Sequence, residues 1–129
     1  EKGVRNMYIG EFAKLTGTTP KTIRFYESIG LIPVPLRNGK YRVYDHTYIE
    51  TVKQIKLAQD FGFKLVEIKS QMKGVNIERG LPASVIINAI NEKRDQIQSE
   101  IDKLKRTDNQ LLDLKNTLEN TKCIVDSAL

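Results

Sequence analysis

The chain has 129 residues, 40% of them hydrophobic and 29% charged, with a formal net charge of +5, which suits one folded domain or a small domain plus one long element. No run of 18 apolar residues occurs and "EKGVRNMYIG" lacks the apolar stretch of a signal peptide, so the expected address is the cytoplasm, with no membrane partner. One cysteine, Cys123, cannot close an internal disulfide, in agreement with a reducing compartment.

The charge is unevenly spread. Residues 1–64 carry 11 Lys+Arg against 6 Asp+Glu, and residues 65–129 carry 10 against 10, so the whole positive excess is N-terminal. Within residues 20–44, Lys21, Arg24, Arg37, Lys40 and Arg42 face one acid, Glu27. That is the footprint of a phosphate-contacting surface or of a solvated basic face. An enzyme is disfavoured. The chain has no glycine-rich phosphate loop, no histidine beyond His46, and no Cys–His or paired-carboxylate constellation with a pocket.

In chain order, Ile9, Phe12, Ala13 and Thr16 recur at helical spacing, which predicts a helix over 9–16 with Phe12 and Ala13 inward and Gly17 as its stop. Thr18 and Thr19 before Pro20 predict a cap and an immediate second helix, ended by Gly30-Leu31. Two short helices around a glycine turn make a helix-turn-helix unit, whose second helix would offer its N-terminal residues to base edges and its flanks to phosphates. Thr18, Thr19, Lys21, Thr22, Arg24 and Phe25 are its candidate DNA contacts. Of the adjacent aromatics, Tyr26 lies three after Ile23 and is expected inward, leaving Phe25 outside.

Residues 33–47 open with two prolines, Pro33 and Pro35, and then alternate Tyr41, Arg42, Val43, Tyr44 after Asn38-Gly39, a hairpin signal. As a two-stranded wing it would bring Arg37, Lys40, Tyr41 and Arg42 to the DNA backbone; an exposed hairpin with incidental charge would show the same pattern. A third helix should start from a cap at Asp45 or Thr47, with Ile49, Val52, Ile55 and Leu57 or Ala58 inward, and end near Gly62. A fourth places Leu65, Ile68 and Met72 on one side before "KGVNIERG". His46, beside the wing, suits a surface or capping role better than metal ligation.

Residues 7 to about 72 resemble the DNA-binding domain of the MerR family, the mercury-resistance-type bacterial transcription regulators. The carriers are "YIGEFAKLTGTTPKTIRFYESIGLIP", "RNGKYRVY" and "AQDFGFKLVEIK". The resemblance implies a winged helix-turn-helix head, a long dimerisation helix and activation of over-spaced promoters by untwisting and kinking the DNA, with RNA polymerase at the promoter. It places Arg24 and Phe25 on the recognition helix and Arg37, Tyr41 and Arg42 on the wing. Two positions depart from the family pattern: Lys40 stands between Gly39 and Tyr41, where it lengthens the hairpin or adds a phosphate contact, and Lys64 replaces a serine cap, which weakens the start of the fourth helix. "EKGVRN" precedes the usual family start as an extension or a remnant.

Ala83, Ile90, Ile97, Leu104, Leu111, Leu118 and Val125 recur every seven residues after Pro82, a coiled-coil seam. About 40 residues make a rod of roughly 60 Å. The second seam position is mixed, with Ile101 apolar but Arg94, Asp108 and Lys115 polar, which argues for an antiparallel pairing rather than a long uniform zipper. The expected interface of a homodimer is Ile90, Ile97, Ile101, Leu104, Leu111 and Leu118, and its two-fold axis demands inverted half-sites in double-stranded promoter DNA.

"KCIVDSAL" is similar to the second of two cysteine elements in metal-responsive relatives, but no first cysteine precedes it. Cys123 is thus a packed or exposed cysteine, a thiol sensor, or part of a metal site completed by a partner chain. The chain's end at this segment leaves no separate ligand domain in the sequence at hand, and no cofactor or metal is expected.

The expected fold is therefore mainly α: a winged helix-turn-helix head at 7–75, a dimerisation helix at 82–122 in an antiparallel coiled coil, and a short segment at 123–129. The expected function is a dimeric regulator that binds an inverted-repeat operator and controls transcription by distorting DNA in response to a signal. The alternative is an architectural DNA-bending or excision-type protein without an effector.

Overall fold

Helices dominate, and the glycines that end them are strong local instructions. The structure is a computed structural model and describes residues 6–128, with side chains as far as Lys122. Its elements are β1 (Asn6–Tyr8), α1 (Ile9–Thr16), α2 (Pro20–Ser28), β2 (Leu36–Asn38), β3 (Tyr41–Asp45), a 3-10 turn at His46–Tyr48, α3 (Ile49–Asp60), α4 (Leu65–Met72) and α5 (Ala83–Ala128). The mainly α architecture, the winged helix-turn-helix head and the long C-terminal helix are as expected.

Helices α1, α2 and α3 close in the same way. In each, a glycine at positive φ (Gly17, Gly30, Gly62) lets the chain leave the helix, and the next amide reaches back five residues: Thr18 to Ala13, Leu31 to Tyr26 and Phe63 to Ala58, at 2.9–3.0 Å. This paired closure satisfies carbonyls that the helix leaves without partners. It also turns Leu31 into the core, where it is buried.

The wing differs from the expected two-stranded flap. β3 lies between β2 and β1 in a three-stranded antiparallel sheet, with Met7 opposite Tyr44. Three residues carry no periodic signal of their own, and β1 exists because its backbone groups find partners on β3. The turn also sits one residue later than expected. Asn38 pairs with Tyr41, so Gly39-Lys40 is the two-residue loop, and Lys40 occupies the loop without lengthening the hairpin. Gly39 has φ 63 while Lys40 stays out of the left-handed region, the requirement of a type II′ turn rather than an Asn-Gly type I′ turn.

The core gathers Phe12 from α1, Ile23 and Tyr26 from α2, Tyr44 from β3, and Val52 and Ile55 from α3. Phe12 and Tyr44 stack with centroids 4.8 Å apart. On α3, Ala58 rather than Leu57 packs inward. The start of α4 is firmer than Lys64 suggested, because the Glu67 carboxylate accepts from the Lys64 amide at 2.7 Å, half of a capping box. The segment leading to α5 is tied to α3: Thr51 Oγ1 donates to the Ile77 carbonyl and accepts from the Gly80 amide, and Gln54 Oε1 accepts from the Leu81 amide.

The chain divides into two compact units, Glu1–Ala89 and Ile90–Leu129. The first contains the core. In the second, no residue from Ile90 to Lys122 is buried, and Ile90, Ile97, Ile101, Leu104, Leu111 and Leu118 are all exposed. Helix α5 begins one residue after Pro82, whose carbonyl accepts from the Val85 and Ile86 amides, and its backbone stays helical through the segment set apart at 123–129 as far as Ala128.

Candidate nucleic-acid interface

The local chemistry of Thr19-Pro20 determines where α2 starts. Thr19 is extended at φ −123, ψ 157, its Oγ1 accepts from the Thr22 amide at 3.2 Å, and Pro20 opens the helix with φ already suited to it. Thr22 and Thr19 also share a hydroxyl contact at 3.0 Å. Thr18 is half-buried, its hydroxyl 2.8 Å from that of Thr16. These threonines build the turn and the cap.

From that start, helical geometry sends Ile23 and Tyr26 inward and leaves Lys21, Arg24 and Phe25 outside. The two aromatics separate as expected, with Tyr26 1% and Phe25 49% exposed. Tyr26 also donates from its hydroxyl to Gln59 Oε1, which docks α2 on α3. Lys21, Thr22 and Phe25 line a cleft with Lys56 and Gln59 of α3. Lys56 pairs with Asp60 at 2.9 Å and is a cation beside this surface that sequence reasoning did not single out.

On the wing, Arg37, Lys40 and Tyr41 are exposed. Arg37 Nη1 donates to the Lys40 carbonyl at 3.1 Å, strapping the loop. Lys40 Nζ stands 5.9 Å from the Tyr41 ring centroid, and Tyr41 tilts against Tyr8 of β1 at 5.8 Å. These contacts hold two cations and a hydroxyl at the tip of the hairpin.

Arg42 differs from the other wing candidates. It is half-buried, and its Nε donates to Glu27 Oε1 at 3.1 Å. Tyr44 donates its hydroxyl to Glu27 Oε2. Burial, then the hydrogen bond and charge of the carboxylate, push the Tyr44 phenol well above its ordinary range. The lone acid of the basic stretch is therefore the joint between α2 and β3. The sequence signal was there in its isolation, but its partners lie 15 and 17 residues away.

His46 Nδ1 lies 3.2 Å from Asp45 Oδ1, and the same carboxylate oxygen accepts from the Thr47 amide. That is a capping turn. Among the described residues no group of three His, Cys, Asp or Glu could hold a metal ion, and no helix is long and apolar enough to cross a membrane. The side chain of Cys123 lies outside the described residues.

Known proteins match both the head and the long helix. The family model described as MerR HTH family regulatory protein matches residues 7–75, and that described as MerR, DNA binding matches residues 49–114. The mercuric resistance operon regulatory protein of Bacillus cereus is 36% identical over 119 residues, covering 92% of this chain and 89% of that protein. The HTH-type transcriptional regulator CueR of Escherichia coli is 37% identical over 112 residues, covering 85% and 82%.

Among solved structures, the transcription regulator PbrR691 from Ralstonia metallidurans, in complex with lead(II), aligns with a TM-score of 0.57 at 24% identity over 85% of this chain and 86% of that one. HiNmlR, a MerR family regulator lacking the sensor domain and bound to promoter DNA, aligns at 0.54 and 19% identity over 79% and 77%. At these identities the structures speak for the fold. With the winged helix-turn-helix geometry, the family matches establish that this chain belongs to the MerR family and is a DNA-binding transcription regulator.

Proposed function

We propose that the chain works as a homodimer that places α2 of each head in the major groove and its wing on the adjacent backbone of an inverted-repeat promoter operator. The observation that carries this reading is the exposed set Lys21, Arg24, Phe25, Arg37, Lys40 and Tyr41, presented by a stretch, residues 20–44, whose one acid, Glu27, is engaged by Arg42 and Tyr44. Arg24 and Phe25 read base edges or grip phosphate near the helix start, and Thr18, Thr19 and Thr22 set its entry while offering hydroxyls to backbone oxygens. Arg37, Lys40 and Tyr41 fix register. Arg42 acts from behind them through Glu27.

The dimer is supported by the stripe Ile90, Ile97, Ile101, Leu104, Leu111 and Leu118, which stays wet in a lone chain and recurs at coiled-coil spacing, while the polar Arg94, Asp108 and Lys115 at the second seam position favour an antiparallel pairing. Two heads bound to one site distort the promoter between its recognition elements and so present it to RNA polymerase, in response to a signal, in the cytoplasm. Selection of bound duplexes from a random pool, followed by footprinting, tests this reading. An inverted repeat protected as two half-sites, with altered reactivity at its centre, is the expected result. Scattered protection without a repeat would replace this reading with that of an architectural DNA-bending protein.

A further inference from the structure

Glu27 is the only acid between residues 20 and 44, and a carboxylate on the recognition helix opposes a polyanion. Yet it is built in with care. Its side chain is 7% exposed, Oε1 takes the Arg42 Nε at 3.1 Å and Oε2 takes the Tyr44 hydroxyl. Arg42 and Tyr44 stand two apart, on the same side of β3, and Tyr44 is itself held by its stacking on Phe12 of α1. One carboxylate on α2 thus grips one strand of the wing at two points. Two points fix an angle where one would leave a pivot.

Charge gives the carboxylate a second consequence. A guanidinium paired with a carboxylate is neutral as a unit and releases fewer counterions from DNA than a free one. Resting on the operator-binding reading above, we infer that Glu27 is a positioning residue that sets the wing against the recognition helix and withholds Arg42 from indiscriminate phosphate binding. It supports discrimination between sites more than affinity for DNA as such.

The test uses the full chain, the inverted-repeat duplex recovered by selection, and a scrambled duplex of the same composition, each titrated across salt. Glu27→Gln keeps the size and an accepting oxygen but removes the charge. It should cut the ratio of repeat to scrambled affinity by about tenfold, leave scrambled affinity equal or higher, and steepen the plot of log affinity against log salt by about one unit as Arg42 is released to phosphate. A residue that only stabilised the fold would lower both affinities together at unchanged slope, and that outcome overturns the inference.

Tyr44→Phe keeps both charges and removes one grip. It should lower the ratio three- to tenfold, roughly the effect of one hydrogen bond, with no change of slope. This variant decides the matter if Glu27→Gln does not fold, and an unchanged ratio in it overturns the inference. If the unaltered chain fails to distinguish the two duplexes, the inverted-repeat operator reading itself falls, before any variant is compared.

Discussion

Residues 6–89 close a core on themselves around Phe12, Ile23, Tyr26, Val52 and Ile55, whereas from Ile90 to Lys122 no residue is buried at all. The head packs its inward-facing apolar side chains into that core, and those it leaves exposed, Val34, Leu36, Phe61 and Val66 among them, follow no seven-residue repeat. The helix instead repeats an exposed apolar residue every seven positions, Leu104 standing 67% exposed. In water such a stripe on a lone helix gains nothing from its own chain. The contrast separates two kinds of surface: the head's core is closed by its own chain, while the helix's stripe, exposed along its length, is what the proposed partner helix would cover.

The contrast can be broken at several points, and the largest effect belongs to the helix. Replacing both Leu104 and Leu111 with Glu should shift the mass in analytical ultracentrifugation to that of a monomer. It should also weaken repeat-duplex binding by about 10²- to 10⁴-fold, the loss of effective concentration between two tethered heads. A variant that stays dimeric would refute the seam. In the head, Ile55→Ala opens a cavity where no water reaches, and urea unfolding should show a loss of about 2–5 kcal/mol. A far smaller loss would mean that the core closes less tightly than its burial indicates.

Arg24→Ala should leave unfolding unchanged and cost about 1–3 kcal/mol of binding. A relaxed base preference would mark a base contact, and a uniform loss with a shallower salt slope a phosphate contact. Neutral behaviour would move α2 away from the DNA. Thr19→Ala removes the cap of α2 and should cost about 1 kcal/mol of stability in the same urea assay.

The smallest effect is a pH dependence of the head. Tyr26 and Tyr44 are both shifted above the ordinary phenol value of 10.0, chiefly by burial. Because the folded state holds these protons more tightly than the unfolded one, their contribution is full below pH 10 and is lost as pH rises through the raised values. Urea midpoints should therefore fall above pH 10, and Tyr44→Phe should flatten the fall. An equal slope in the variant would assign the loss to other groups.

What was legible in the sequence was local. Gly17, Gly30 and Gly62 end helices through bonds to residues at most five positions back, and Thr19-Pro20 opens α2 through a bond of three, so a short window contains the whole instruction. The same holds for Phe25 and Tyr26, whose faces follow from Ile23. Features that need distant partners were not legible. β1 is defined by pairing across more than 30 residues, as Met7 opposite Tyr44 shows. Glu27 meets its partners 15 and 17 residues on, and Thr51 reaches Ile77, 26 residues away. The hairpin turn was misplaced by one residue because Asn-Gly carries the stronger turn preference, while the pairing of Asn38 with Tyr41 puts Gly39-Lys40 in the loop.

The central claim is that two heads, held at a fixed separation by paired helices, read one inverted repeat. The measurement that tests it most directly is affinity for the recovered repeat as a function of the spacing between its halves. A sharp optimum, with binding lost when about half a helical turn is inserted so that the second half-site faces away, is the result this account requires. Affinity that does not change with spacing would mean that each head binds alone, and would contradict it.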